Sequence, residues 1–333
     1  MRKKVLIILL LVNFQFSYAS FILIPMDAVT QTNHLKAYGI TYWSLNQGNK
    51  AQWLLNYEGG SFLLEDNEAT RSECKIRGVT FHILSDTQTE NILMEISSPS
   101  KNMEAVLLEK APKIAVYSPK DKMPWDDAVT MVLTFAEIPF DVIYDEDVLN
   151  EKLLEYEWLH LHHEDFTGQF GKFYGSYRTA PWYIEQKNDA QELAKKLGYN
   201  KVSKEKLAVA IKIRDFVIGG GFMFAMCSAT DSFDIALASE GVDICETMFD
   251  GDPSEINYQN KIDFKKTFAF KDFELVRNPE VYEFSSIDMT RKRREIKRTS
   301  DYFSLKEYSA KWDPIPTMLC QNHTTLVKGF MGQ

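Results

Sequence analysis

The pattern of apolar and polar positions changes near residue 110. Beyond that point, short apolar runs alternate with longer stretches whose apolar residues recur at helical spacing. The pattern predicts strands at 114–117, 140–144, 158–162 and 222–226, and helices at 125–137, 148–154, 188–197, 203–217 and 228–239. Short apolar strands separated by helices are typical of a parallel sheet with helices on both faces. We therefore predict an α/β fold for this part of the chain.

Residues 20–110 have a different pattern. Short runs of β-branched and aromatic residues are separated by turn residues such as those at 48–49 and 59–60. The runs predict strands at 40–43, 53–57, 61–64, 79–84 and 92–96, with a short helix at 31–38. We therefore predict a small β-rich N-terminal module. Residues 111–333 form the second predicted domain, in which an irregular insertion at about 250–315 includes a strand pair at 263–273.

The first 19 residues have the pattern of a secretory signal peptide. Residues 2–4 are basic, residues 5–12 are all apolar, and Ser17 and Ala19 are the small residues that signal peptidase requires. We expect cleavage after Ala19 and a mature protein that is periplasmic or extracellular. No later apolar run reaches the roughly 20 residues that span a bilayer, so we expect no integral membrane span.

The composition is that of a folded protein, with 45% hydrophobic and 26% charged residues in a chain of 333. Acidic residues (47) outnumber basic ones (38), which gives a net charge of −9. That balance argues against a nucleic-acid partner, because phosphate contacts need a basic surface. Four cysteines are too few for a disulfide-rich scaffold, and their pairing stays open. We predict no cofactor, and the oligomeric state is open.

The strongest candidate for a reactive site is GGGFMFAMCSATDSFD, residues 219–234. A predicted strand runs into Cys227, and a predicted helix begins directly after it. A residue at such a turn is held on a sharp bend with its side chain exposed, and the helix N-terminus favours a thiolate. We predict Cys227 as a nucleophile, and Gly220, Gly221 and Ser228 as ligand-binding or oxyanion-stabilising residues. The alternative is a small buried cysteine that ends a core strand.

Three of the six histidines lie in WLHLHHEDFTGQFGK, residues 158–172, at the carboxyl end of a predicted strand. Ligands of parallel sheets bind at this edge. We predict that His162, His163 and Glu164 are catalytic and that Asp165 contacts the ligand. We also expect at least one histidine of the cluster to be structural. No second group of residues with metal-ligand spacing appears, so we predict no metal site.

The order strand, helix, strand, strand, followed by GGGFMFAMCSAT at a strand-to-helix turn, resembles the class I glutamine amidotransferases over about residues 110–250. The resemblance implies a flavodoxin-like fold in which Cys227 is the nucleophile. Those enzymes pair the cysteine with a His-x-Glu placed late in the chain. Here the only histidine after Cys227 is His323, and Thr325 stands two residues further on. A histidine from residues 160–163 would then be the substitute base.

The segments PWDDAV, WLHLHHEDFTGQFGKFY and GGGFMFAMCSATDSFD resemble, over nearly the whole chain, an exported bacterial family commonly labelled asparagine synthetase B or asparagine synthetase B-like. Members of that family continue with a Gly-His-Asp segment, so we expect this chain to be truncated at its C-terminus. We do not expect ATP-dependent asparagine synthesis. Glutamine-dependent asparagine synthetase uses an N-terminal cysteine and an SGGxDS loop, whereas position 2 is Arg2 and the sequence has no such loop.

Three functions are compatible with these residues. The first is an exported cysteine-dependent amidase or hydrolase of the glutamine amidotransferase type, and it is the working prediction. The second is a non-catalytic binding or scaffold protein on the same fold. Its sheet edge would bind a small molecule, sugar or peptide through Trp125, Trp158, Tyr174 and Trp182. The third is a metal-dependent hydrolase built on the histidines and carboxylates of residues 160–165.

Overall fold

The computed structural model describes residues 20–119, 128–287 and 329–331. The chain divides into two compact units, Met1–Lys110 and Ala111–Gln333. The predicted signal peptide, Trp125 and His323 lie outside the described residues, as do residues 288–315 of the predicted insertion.

The first unit is an antiparallel sheet of five strands accompanied by three helices. The sheet has the order β4-β1-β3-β2-β5. The elements are β1 (Ser20–Ile24), α1 (His34–Asn46), β2 (Ala51–Leu55), β3 (Ser61–Glu65), α2 (Glu68–Ile76), β4 (His82–Ser85), α3 (Asp86–Ile96) and β5 (Glu104–Leu108). One hydrophobic cluster joins Leu23, Leu54 and Leu63 of the sheet to Ile96 of α3, so this helix covers one face.

Two segments that the sequence predicts as strands are helical. Residues 40–43 lie in α1, and residues 92–96 lie in α3. In α1 the buried residues recur at helical spacing, which outweighs the β propensity of the run; they are Ala37, Gly39, Ile40, Thr41, Ser44 and Leu45. At α3 the local signal is a capping box. The Ser85 hydroxyl accepts from the Gln88 N–H, and the Gln88 side chain accepts from the Ser85 N–H.

The second unit contains a parallel sheet of four strands in the order β7-β6-β8-β9, so the α/β prediction with a parallel sheet is confirmed. The strands are β6 (Ile114–Tyr117), β7 (Asp141–Ile143), β8 (Trp158–Leu161) and β9 (Phe222–Ala225). The helices are α4 (Ala128–Ala136), α5 (Asp145–Leu149), α6 (Tyr174–Tyr177), α7 (Pro181–Lys196), α8 (Val202–Ile218), α9 (Ser228–Ala238) and α10 (Thr247–Asp250). Among the described residues, no helix is long and apolar enough to cross a bilayer.

One face of the parallel sheet packs against α8 and α9. Side chains alternate along a strand, so every second residue of β6 and β8 enters this core. The core includes Ala115, Tyr117, Leu159 and Leu161 from the sheet, Val209, Ala210 and Ile213 from α8, and Phe233 and Leu237 from α9. This packing fixes α9 against the sheet and therefore fixes the turn that precedes α9.

Residues 263–273 are not the predicted strand pair. They contain one 3-10 turn at Phe264–Lys266, and Phe270 forms an isolated bridge with Phe330. The backbone N–H groups of residues 268–270 donate instead to the buried Asp234 carboxylate of α9, at 2.7–2.9 Å. Burial raises the pKa of Asp234, although these three N–H groups oppose the shift. The Asp234 carboxylate therefore accepts hydrogen bonds from the backbone N–H groups that would otherwise pair with a neighbouring strand.

Candidate active site

Cys227 lies where β9 ends and α9 begins, and it is exposed. Its backbone has φ 53° and ψ −133°, a combination that residues other than glycine rarely adopt. Holding such a residue there costs about 1–3 kcal/mol, so the surrounding packing must impose the conformation. A thiol on a strained turn between a strand and a helix is the arrangement that presents a nucleophile to solvent.

His162 and His163 follow β8, the strand next to β9. Leu161 pairs with Ala225, and the Met226 N–H donates to the Leu161 carbonyl at 2.9 Å. The paired residues end at Leu161 and Ala225, and His163 and Cys227 each come two residues after them at the carboxyl ends of neighbouring strands. The rings of His162 and His163 lie 3.6 Å apart between centroids. His163 is exposed, whereas His162 is only 8% exposed, so His163 is the better placed of the two to meet a ligand.

Hydrogen bonds hold the loop after β8 against the first turns of α9. The Glu164 carbonyl accepts from the Ser232 hydroxyl at 2.9 Å and from the Ser228 hydroxyl at 3.5 Å. The Ser232 hydroxyl in turn accepts from the Phe166 N–H at 3.4 Å. Ser232 is completely buried, so these bonds are shielded from water. The loop that carries the histidines and the helix that follows Cys227 are therefore tied together.

Ser228 is the first residue of α9, and its backbone N–H lies at the helix N-terminus beside Cys227. The first N–H groups of a helix have no intrahelical acceptor, and the helix dipole is positive at this end. The next donors are already engaged, because Ala229 donates to the Met226 carbonyl and Thr230 to the Cys227 carbonyl. Of the first three N–H groups of α9, that of Ser228 is therefore the one not engaged in these bonds, and Ser228 stays the predicted oxyanion donor.

Two of the predicted ligand residues, Gly220 and Gly221, lie at the other edge of the sheet. They precede β9, whereas Cys227 follows it, and four residues of strand span about 13 Å. Their N–H groups donate to carbonyls at the end of α8. The two glycines therefore belong to the turn between α8 and β9. Trp158, predicted at the ligand-binding edge, begins β8 and also lies at the amino edge.

Asp165 organises a turn. Its carboxylate accepts from the Thr167 N–H at 2.7 Å, the Thr167 hydroxyl at 2.6 Å and the Gly171 N–H at 2.9 Å. Both carboxylate oxygens are thus engaged in shaping residues 165–171. His160 is also structural, because its buried ring stacks on Phe224 with 5.3 Å between centroids. Glu164 is buried, and its negative charge helps to raise the pKa of the Tyr117 and Tyr144 phenols.

Those phenols belong to a buried cluster that the sequence does not reveal. Lys206 of α8 donates to both oxygens of Asp145, at 2.7 and 2.9 Å, and to the hydroxyls of Tyr117 and Tyr144, at 3.1 and 3.0 Å. The Tyr117 hydroxyl also donates to Asp145. Tyr117, Tyr144 and Asp145 all lie at the carboxyl ends of β6 and β7. We call Lys206, Asp145, Tyr117 and Tyr144 the buried ion cluster.

The pKa shifts in the buried ion cluster follow from burial and from its charges. Burial is the largest single effect on the pKa of Lys206 and would lower it, but the charges of Asp145, Tyr117, Tyr144 and Glu205 together outweigh burial and hold that pKa well above its usual range. Burial and Asp145 raise the pKa of Tyr117 well above its ordinary value. Glu205, next to Lys206, is buried, and its pKa rises to about 8. The lysine therefore stays charged and the tyrosines stay neutral.

A group of potential metal ligands lies elsewhere in this unit. Ligand atoms of Asp243, Cys245 and Asp250 approach within 4.8 Å of one another. The Lys201 ammonium is bound to the same carboxylates, at 2.6 Å from Asp243 and 3.0 Å from Asp250, and also to Asp252. The three aspartates thus have a cation from the chain itself. Among the described residues, the histidine cluster at 160–165 does not gather ligand atoms in this way.

Comparison with known proteins adds no further constraint. The chain matches no family model, no curated protein and no solved structure. The geometry of residues 117–119 and 128–232 is therefore the basis for assigning a function.

Proposed function

We propose that this protein is a cysteine-dependent amidase or hydrolase of the glutamine amidotransferase type, with Cys227 as its nucleophile. The observation that carries the proposal is the exposed thiol on a positive-φ turn at the start of α9. A strained, exposed residue between a strand and a helix is costly for stability, and such cost is concentrated at functional sites. The position of Cys227 also supports the proposal, because it follows the carboxyl end of a strand in a parallel sheet, and ligands of such sheets generally bind at that edge.

The proposed reaction has two steps. His163 takes the thiol proton, and the Cys227 sulfur attacks the carbonyl carbon of an amide, whose oxygen becomes an oxyanion near the Ser228 N–H. The C–N bond then breaks, and the leaving amine receives the proton from His163. Water loses a proton to the same imidazole and attacks the thioester, which releases the carboxylic acid and restores the thiol.

Each residue has one role in this proposal. Cys227 is the nucleophile, His163 the proton carrier, and Ser228 the oxyanion donor. His162 is a positioning residue, because its buried ring packs against that of His163. Ser232 positions the loop through the Glu164 carbonyl. Export by the predicted signal peptide and kinship with the asparagine synthetase B-labelled family belong to the same proposal.

The test begins with thiol reactivity in the native, reduced protein. Iodoacetamide is applied across a pH series, and mass spectrometry maps the alkylated cysteine. We expect Cys227 to react, while Cys74 and Cys245 stay unlabelled until the protein unfolds, because burial raises the pKa of Cys74 to about 11 and raises that of Cys245 well above its ordinary value. An inert Cys227 in the folded protein would contradict the proposal.

The second stage measures turnover on a panel of chromogenic amides, including glutamine anilides. We expect Cys227→Ala to abolish turnover and His163→Gln to reduce it by about 10²–10⁴-fold, the usual contribution of a general base. His82→Gln is the matched control, since His82 is an exposed histidine of the first unit. Turnover that survives Cys227→Ala would assign the activity to other residues and end the proposal.

A further inference from the structure

Four aromatic rings of the second unit pack together at its surface. Phe173 is central: its ring lies 5.5 Å from Tyr282, 5.5 Å from Trp182 and 6.0 Å from Tyr177. Tyr177 and Trp182 are also neighbours, at 5.1 Å between centroids. We call Phe173, Tyr177, Trp182 and Tyr282 the aromatic platform. The mutual packing restricts the rings, so the surface they form is fixed before any ligand arrives.

Much of the aromatic platform faces solvent. Tyr177 is 45% exposed, Trp182 44% and Tyr282 48%, although aromatic rings of this size are usually well buried. Within the described chain, no hydrogen bond involves the Tyr177 hydroxyl or the Trp182 indole N–H. The platform therefore combines exposed ring faces with two polar edge groups, those of Tyr177 and Trp182, that make no hydrogen bond within the described chain.

The rim of the platform includes an ion pair. Arg178 pairs with Glu280, with 3.3 Å between Nη1 and Oε2, and the same Nη1 donates to the Gly175 carbonyl at 3.0 Å. A Cβ on Gly175 would lie 2.8 Å from the Glu280 carbonyl oxygen, so the two backbone segments touch closely. One segment carries Phe173, Tyr177 and Trp182, and the other carries Tyr282. These contacts hold the segment that carries Phe173, Tyr177 and Trp182 against the segment that carries Tyr282.

We propose that the aromatic platform is a carbohydrate-binding site, with neutral sugar units as its ligands. A pyranose ring presents C–H groups on one face, and their positively polarised hydrogens are attracted to the negative faces of Trp and Tyr rings. Its hydroxyl groups match the unpartnered edge groups of Tyr177 and Trp182. The Arg178–Glu280 pair offers a donor and an acceptor without a net charge, which suits a neutral ligand better than an anionic one.

This site is independent of the proposed hydrolase, because none of its residues belongs to the machinery around Cys227. Affinity electrophoresis in native gels tests it with soluble polysaccharides cast into the gel: xyloglucan, mixed-linkage β-glucan, xylan, mannan and polygalacturonate. We expect at least one neutral polysaccharide to slow the wild-type protein, and polygalacturonate not to. Wild-type mobility that no neutral polysaccharide alters would overturn the proposal.

Three variants identify the surface responsible. Trp182→Ala removes the largest exposed ring and should weaken retardation by about tenfold or more, whereas Trp182→Phe keeps a stacking face and should retain most of it. Phe222→Ala is the matched control, because it removes an exposed aromatic ring at the amino end of β9. Equal retardation of Trp182→Ala and wild type would overturn the assignment to this platform.

Two further measurements separate the carbohydrate ligand from other occupants of an aromatic surface. Phosphatidylcholine–phosphatidylglycerol vesicles test a membrane, and sedimentation velocity over a concentration series tests self-association. We expect neither vesicle binding nor concentration-dependent dimerisation to depend on Trp182. Either dependence would overturn the carbohydrate proposal in favour of that occupant. Iodoacetamide labelling of Cys227 should be unaffected by Trp182→Ala, which distinguishes failure here from failure of the hydrolase.

Discussion

The carboxyl edge of the parallel sheet has two halves of opposite character. After β9, Cys227 is exposed on a backbone with φ 53°, and after the neighbouring strand β8 come the paired rings of His162 and His163. At the ends of β6 and β7, the Lys206 ammonium is buried among a carboxylate and two phenol groups. The half at β8 and β9 keeps a thiol accessible at a cost in stability, and we call it the reactive half. The half at β6 and β7 keeps its charges buried and hydrogen-bonded to one another, and we call it the saturated half.

The comparison shows that one part of the sheet edge is built for stability and the other for contact with a ligand. Four acceptor atoms surround the three protons of Lys206, so the ammonium has no proton left for a ligand. Glu164 lies between the halves: its charge acts on Tyr117 and Tyr144, while its carbonyl binds α9 behind Cys227. Glu164 is therefore a residue of the reactive half whose charge is felt in the saturated half.

The largest expected effect comes from breaking the saturated half. Lys206→Met removes the ammonium but leaves Asp145 buried, and an uncompensated buried charge costs about 3–5 kcal/mol. We expect the free energy of unfolding, measured by urea denaturation, to fall by that amount. The double variant Lys206→Met/Asp145→Asn removes both charges and should recover at least half of the loss. Equal destabilisation of the single and double variants would show that the charge pair is not the reason.

The next prediction concerns the pH dependence of stability and the part of it that comes from the titration of Glu205. Burial raises the pKa of this carboxyl to about 8, with Lys206 opposing and Asp145 reinforcing the shift. Between the unfolded value of 4.5 and about 8, the folded protein binds more protons than the unfolded chain. The stability contributed by neutral Glu205 is therefore present at low pH and is lost as the pH rises towards 8.

Glu205→Gln removes this titration, so the free energy of unfolding should decline less steeply between pH 5 and pH 8 than in the wild type. Denaturant midpoints at several pH values provide the measurement. Glu192→Gln, at an exposed position of α7, should keep the wild-type slope. If Glu205→Gln and Glu192→Gln have the same slope, the carboxyl does not titrate in this range.

The third prediction tests the connection between the loop and α9. Ser232→Ala deletes a buried hydroxyl and leaves the Glu164 carbonyl and the Phe166 N–H without their partner, which costs about 1–3 kcal/mol. We also expect slower alkylation of Cys227, because the loop that places His163 is loosened. Ser239→Ala removes another buried hydroxyl of the same region that makes no hydrogen bond, so it should be nearly neutral. Similar losses in both variants would remove the positioning role of Ser232.

These two halves also differ in how far the sequence predicts them. Cys227 and its turn are predictable because strand, cysteine and helix follow one another within about 15 residues. Lys206, by contrast, is 61 positions from Asp145 and 89 from Tyr117, and each looks like an ordinary helix or strand residue on its own. Only the parallel sheet brings them together, so no local pattern announces the buried ion cluster.

The places where the structure differs from local expectation have physical causes of the same kind. Gly220 and Gly221 are neighbours of Cys227 along the chain, but the extended strand between them separates the two ends by about 13 Å. Asp165 has the residue type of a ligand, yet its oxygens are taken by Thr167 and Gly171. In α1, tertiary burial of one helix face overrides the β propensity of residues 40–43.

The smallest expected effect measures most directly the stability that the reactive half loses to the strained backbone at Cys227. Cys227→Gly places at φ 53° the residue that tolerates positive φ, and its greater unfolded-state entropy offsets part of the relief of strain. We expect a gain of about 1 kcal/mol in the free energy of unfolding. Cys227→Ala is the control, since alanine keeps the strain and the exposed thiol contributes little packing. A glycine variant no more stable than the alanine variant would mean that the turn stores no strain, and the contrast between the two halves of the sheet edge would then lie in exposure alone.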